Sequence, residues 1–76
     1  MRYVVTRTSD WDNPHCPGAQ KEMVSKSGEL AEVYTIEIGT LEELHKLMDT
    51  VGVSVILHKD RRYDIPRLEI YDDYRE

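Results

Sequence analysis

His15 and Cys16 are adjacent between two prolines, and a thiol beside an imidazole is a combination used in nucleophilic catalysis and in metal binding. A metal site needs three or four ligands, and His45 and His58 complete no C-x-x-C or H-x-x-x-H spacing with this pair. Side chains of adjacent residues also seldom face each other as a nucleophile and its base must. The sequence therefore predicts no catalytic residue, no metal ligand and no cofactor, and a small enzyme or metal-binding protein remains only as a third hypothesis.

Tyrosines and carboxylates are concentrated in the stretch LEIYDDYRE. Tyrosine offers apolar area with a polar tip, and neighbouring carboxylates favour arginine or lysine on a partner. The competing interpretation is a solvated chain end. The candidate partner-binding residues in this stretch are Glu69, Tyr71, Asp72, Asp73, Tyr74 and Glu76.

Trp11 and Asp12 form a second candidate position for partner binding. Trp11 is the single tryptophan of the chain, and tryptophan is enriched at the residues that dominate binding energy. The alternative is that Trp11 anchors its loop to a small core. The carboxylates around it, Asp10 and Asp12, are expected to stay solvated and ionised rather than to form an acid–base pair.

The charge balance excludes several classes of partner. Fifteen acidic and ten basic residues give a formal net charge of −5. This charge disfavours direct binding to nucleic acid and to an anionic membrane, because both depend on cationic side chains. One cysteine excludes an internal disulfide and fits the cytoplasm. The sequence predicts neither a signal peptide nor a membrane span, since no apolar run approaches about 18 residues.

A helix is the clearest predicted element, in the stretch GTLEELHKLMDTVG. Thr40 and Glu43 form a capping box at its start, and Gly52 is typical of the position after a helix ends. An apolar stripe at helical spacing gives this helix one face to bury. The stripe consists of Leu41, Leu44, Leu47, Met48 and Val51.

Four strands are predicted from alternation and β-branched content, over residues 2–7, 33–38, 53–58 and 67–72. Residues 8–32 are predicted to form a long loop with a short helical turn near 20–24. The prediction is one α+β domain over residues 1–76, with a small, mostly antiparallel four-stranded sheet and the helix packed on one face. The order is β–loop–β–α–β–β. We expect the strands flanking the helix to be parallel and the last two to pair as a hairpin.

Three stretches of the chain resemble short proteins of bacteriophages and prophages of Gram-positive bacteria. These stretches are RYVVTRTSDW, YTIEIGTLEELHKLM and IPRLEIYDDYRE, and they span most of the sequence. The resemblance implies no catalytic residue, because that group has no established activity. It implies the cytoplasm of a bacterial host as the compartment, and host proteins, including nucleic-acid-binding defence complexes of the CRISPR type, as targets of inhibition.

Two function hypotheses of different classes remain. The leading hypothesis is a non-enzymatic protein that binds a basic surface of a host protein through the tyrosine and carboxylate residues. The alternative is a structural homodimer without a host target, formed through an edge strand or the open sheet face. Val4, Thr35 and Ile56 are expected to form a modest apolar patch on that face.

Overall fold

The computed structural model describes residues 1–52, 54–59 and 62–72 of this small α+β protein. Its single sheet has five strands in the order β2–β3–β1–β5–β4. Only β1 and β5 pair in parallel, and the other three neighbouring pairs are antiparallel. The elements are β1 (Arg2–Arg7), β2 (Gln20–Lys26), β3 (Glu29–Glu37), α1 (Leu41–Val51), β4 (Ser54–His58) and β5 (Arg67–Tyr71).

The helix α1 forms as its sequence predicts. The Thr40 side chain accepts a hydrogen bond from the Glu43 backbone N–H at 3.1 Å, and Glu43 Oε1 accepts one from the Gly39 N–H at 2.6 Å. Both bonds satisfy backbone donors that a helix start leaves without partners. At the other end Gly52 has φ +72° and donates its N–H to the Met48 carbonyl. Across the described ranges, no helix combines the length and apolarity that crossing a membrane requires.

The prediction of a loop over residues 8–32 is wrong in its second half. Residues 20–26 form β2 rather than a helical turn, and β3 begins at Glu29 rather than at Val33. The two strands are joined by a two-residue turn in which Ser27 and Gly28 both have positive φ. This backbone twist matches that of the paired strands, so the turn favours a hairpin. The sheet therefore has five strands instead of four.

The expected parallel direction of the strands before and after α1 is confirmed, although these strands are not neighbours. β3 and β4 run in the same direction, and β1 and β5 lie between them in the sheet. The expected hairpin of the last two strands is confirmed, with Leu57 opposite Leu68. Leu68 and Ile70 face the helix, because they share a core with Leu47 of α1.

The face of the sheet opposite the helix is covered over β1 and β2 and forms no open apolar patch there. Tyr63 packs on Val4 and Val24 there, and Lys26 forms an isolated antiparallel bridge with Tyr63. The prediction of an exposed patch formed by Val4, Thr35 and Ile56 is wrong, because Val4 and Thr35 are buried. Of the three, Ile56 alone is exposed. The connection between β4 and β5 thus provides a second, smaller core.

Candidate partner-binding surface

Asp72 holds the loop after β1 in place. Its carboxylate accepts hydrogen bonds from the Ser9 hydroxyl at 2.7 Å, the Ser9 backbone N–H at 3.1 Å and Arg7 Nη1 at 3.0 Å. Its side chain is only 5% exposed. The Ser9 hydroxyl lowers the pKa of Asp72 most, and Arg7 lowers it further against the opposing effect of burial. This placement contradicts the expectation of a partner-facing Asp72.

Arg7 extends the same network into the loop. Its Nε donates to the Pro14 carbonyl at 2.7 Å, and its Nη2 donates to the His15 carbonyl at 3.4 Å. One guanidinium therefore joins the end of β1, the residue after β5 and the loop that carries Trp11. Because charged donors make the stronger hydrogen bonds, this contact fixes the loop relative to the sheet.

Glu69 is also occupied by contacts within the chain. Its Oε2 accepts from the Thr8 hydroxyl at 2.7 Å, and its Oε1 accepts from His58 Nε2 at 2.8 Å. Burial raises the pKa of Glu69, but the hydrogen bonds from Thr8 and His58 and the charge of Arg67 lower it more, so the pKa lies below its ordinary value. The carboxylate is ionised at neutral pH and already bonded. Glu69 therefore joins the loop after β1 to β4 through its carboxylate.

Trp11 covers this polar network. Its ring lies over the Arg67 guanidinium, 4.7 Å from ring centroid to Cζ, and the Arg62 guanidinium is 5.5 Å from the same centroid. Arg67 is buried and donates to the Thr6 hydroxyl at 2.9 Å. A cavity of about 140 Å³ lies beside Trp11, which is smaller than the roughly 300–1,000 Å³ of typical small-molecule sites.

Two aromatic side chains remain accessible on the face opposite the helix. Tyr71 shares this face with Arg67, because both alternate along β5 with the core residue Leu68. Trp11, which stacks on Arg67, is 41% exposed, and Tyr71 is 37% exposed. Asp12 is exposed beside Trp11. We call Trp11, Asp12 and Tyr71 the aromatic surface.

The sequence-predicted site is thus divided. Trp11, Asp12 and Tyr71 are exposed, whereas Glu69 and Asp72 are bonded internally. The remaining candidates Asp73, Tyr74 and Glu76 lie outside the described residues.

Sequence reasoning did not identify Thr8, His58 and Arg67 as supports of the surface. The alternation of the last two strands carried part of this information, since His58 lies opposite Arg67 and two positions from Glu69, on the same face of the sheet.

The Thr8–Glu69–His58 contacts have the residue types of a catalytic triad in a different order. In a triad the imidazole lies between hydroxyl and carboxylate and accepts the hydroxyl proton. Here the carboxylate lies between the hydroxyl and the imidazole. This arrangement gives His58 no direct route to the Thr8 proton, so the contacts stabilise structure without activating a nucleophile.

His15 and Cys16 make separate contacts. His15 Nε2 lies 3.3 Å from Asp10 Oδ2, while the Cys16 thiol donates to the Pro17 carbonyl at 3.7 Å. Burial raises the pKa of the Cys16 thiol, with the Arg7 charge opposing it, and a protonated thiol is a poor nucleophile and metal ligand. The part of the chain that the structure describes contains no group of three or more residues placed to hold a metal ion.

Comparison with protein-family models, with curated proteins and with solved structures finds no match to this chain.

Proposed function

We propose that this chain is a non-enzymatic protein of phage or prophage type that binds a basic surface of a host protein. The observation that carries the proposal is the exposure of Trp11 and Tyr71 on one face, supported beneath by a bonded polar network. Tryptophan and tyrosine are the side chains most often responsible for binding energy. Ordered supports reduce the entropy that such side chains lose on binding.

Charge supports the same class of partner. The chain has a net charge of −5, and Asp12 lies beside Trp11. In the sequence Asp73, Tyr74 and Glu76 follow Tyr71 closely, so acidic groups flank both aromatic residues. A partner with arginine and lysine on its surface complements this set. A nucleic-acid-binding defence protein is the first class of target to test, because such proteins carry basic surfaces.

The experiment is capture from a lysate of a Gram-positive bacterium, with the wild type and Tyr71→Ala as immobilised baits. The matched control is Met23→Ala, which removes another exposed apolar side chain, from β2. We expect the wild type and the control to retain one protein in stoichiometric amount and Tyr71→Ala to retain at least tenfold less. Equal retention by all three folded baits would refute the role of Tyr71, and no retained protein would refute the proposed function.

A further inference from the structure

The outer edge of β4 is exposed, and its central residues are apolar. β4 is the last strand of the sheet, and among the described residues it pairs only with β5. Its sequence SVILH contains no acidic residue, lysine or arginine, although a third of the chain is charged. Ile56 is 38% exposed and Leu57 is 49% exposed. An edge of this kind exposes backbone N–H and C=O groups that pair readily with another strand.

The opposite edge of the sheet is protected in two ways that the described residues do not provide for β4. β2 carries the charged residues Lys21, Glu22 and Lys26, and charges on an edge oppose strand pairing. The outward side of β2 is also partly paired, because Asp64 N–H donates to the Ser25 carbonyl and Ser27 N–H donates to the Arg62 carbonyl. The contrast indicates that β4 is the edge suited to accept a strand.

We propose that β4 pairs with β4 of a second copy of this chain, in antiparallel orientation about a two-fold axis at Ile56. The five positions are self-complementary in this register. Ile56 lies opposite the second copy's Ile56, Val55 lies opposite Leu57, and Ser54 lies opposite His58. Apolar side chains thus meet apolar ones on both faces, and no like charges are opposed. The two sheets join into one of ten strands, with both helices on the same side.

An apolar groove continues this edge on the helix side. Leu57 lines it together with Met1, Tyr3, Leu41 and Leu44, and its volume is about 370 Å³. Met1 and Leu41 are among the most exposed apolar side chains of the described residues. Pairing at β4 brings the second copy's Val55 beside Leu57, so part of this exposed apolar area becomes buried.

The surface area of the chain limits the area that such a dimer can bury. An interface typically covers about a tenth of a small protein's surface. The chain exposes 5189 Å², so each copy contributes about 500 Å². Two copies then bury about 1,000 Å², near the lower limit for specific association, so we expect a dissociation constant in the micromolar range or weaker. Because each copy carries a charge of −5, salt should strengthen the dimer by screening repulsion.

The first test is sedimentation velocity from about 5 to about 500 µM protein, which spans the expected range of affinity. The wild-type mass should rise with concentration from 8.9 kDa towards twice that value. Ile56→Lys and Leu57→Lys should stay monomeric, and both should keep the wild-type circular dichroism spectrum because both side chains are partly exposed. The control Met23→Lys adds the same charge to β2 and should dimerise as the wild type does. A constant monomer mass, or loss of the dimer only in Met23→Lys, would overturn the proposal.

The second test examines the register directly. In an antiparallel pair centred on Ile56 the two Cα atoms lie about 4.5–5.5 Å apart, within the range of a disulfide. Ile56→Cys in a Cys16→Ser background should form a covalent dimer under mild oxidation. Met23→Cys in the same background should remain at least tenfold less cross-linked. Equal cross-linking of the two variants would exclude this register. Both tests use purified chain alone, so their outcome is independent of whether a host partner exists.

Discussion

Replacing Leu68 by alanine should remove much of the stability of the fold. Leu68 is fully buried in β5, in one core with Val5, Ile38, Leu47 and Ile70. Truncating a fully buried leucine costs about 2–5 kcal/mol, from lost transfer free energy and the cavity left behind. A chain of 76 residues is expected to have a free energy of unfolding of about 4–11 kcal/mol. The substitution therefore removes a large part of the free energy of unfolding.

The assay is urea unfolding followed by circular dichroism, with Leu30→Ala as the matched control. Leu30 lies on β3 and is largely exposed, so the same truncation there should change stability by about 0.5 kcal/mol or less. The midpoint of thermal unfolding should fall by about 8 °C or more for Leu68→Ala, since a loss of at least about 2 kcal/mol shifts it by roughly 4–8 °C per kcal/mol at this size. If Leu68→Ala, like the control, lowered the free energy of unfolding by less than about 1 kcal/mol, the packing of α1 on β5 described above would be wrong.

Three further predictions concern the site, the hairpin turn and the start of the helix. Glu69 and Asp72 have lowered pKa values in the folded chain, so the stabilisation from their ionised forms is present above the unfolded values, near 4, and is lost as pH falls through the folded ones. As pH falls below about 4, the urea midpoint should therefore drop more in the wild type than in Glu69→Gln/Asp72→Asn. Equal drops would contradict this assignment. Gly28→Ala should lower the free energy of unfolding by about 1–2 kcal/mol, because its φ of +87° disfavours a side chain. No atom beyond the neighbouring residues lies within 4 Å of the added methyl group, so backbone conformation is the sole cause. An unchanged thermal midpoint would exclude the strained turn. Thr40→Ala should cost about 1 kcal/mol by removing the acceptor for the Glu43 N–H, whereas Thr40→Ser should restore it.

The helix was predictable because all of its signals are local. Thr40, Glu43 and Gly52 lie within a few residues of the positions that they cap, and the apolar stripe has the period of a helix. The strands β1, β4 and β5 were predictable for the same reason, since β-branched and apolar residues alternate or cluster there. Local patterns need no knowledge of which element packs on which.

The strand β2 was missed because its composition is mainly polar. Only Met23 and Val24 are apolar in its seven residues, and Val24 alone is buried. The Ser27–Gly28 pair was the available signal, because a small polar residue followed by glycine between two extended segments is typical of a two-residue hairpin. Strand order was beyond local reasoning, since β1 pairs with β3 and β5, which are distant in sequence.

The candidate residues selected from the sequence differ in their surroundings in the structure. Trp11 and Tyr71 are exposed, and their role in partner binding stays a prediction. Asp72 was misassigned because its partners Arg7 and Ser9 lie more than 60 residues away in sequence. An acidic residue in a polar stretch is usually solvated, and only the fold brings these groups together.

The most direct test of the binding function compares two charge-matched baits in lysate capture at about 50 and about 300 mM salt, which differ in electrostatic screening. Asp73→Asn/Glu76→Gln and Glu29→Gln/Glu32→Gln each remove two negative charges, the second pair from exposed positions on β3. We expect that the first bait loses the partner, that the second keeps it, and that retention by the wild type falls as salt rises. Equal retention by both baits, or retention by the wild type that is unchanged by salt, would contradict binding to a basic surface through these residues.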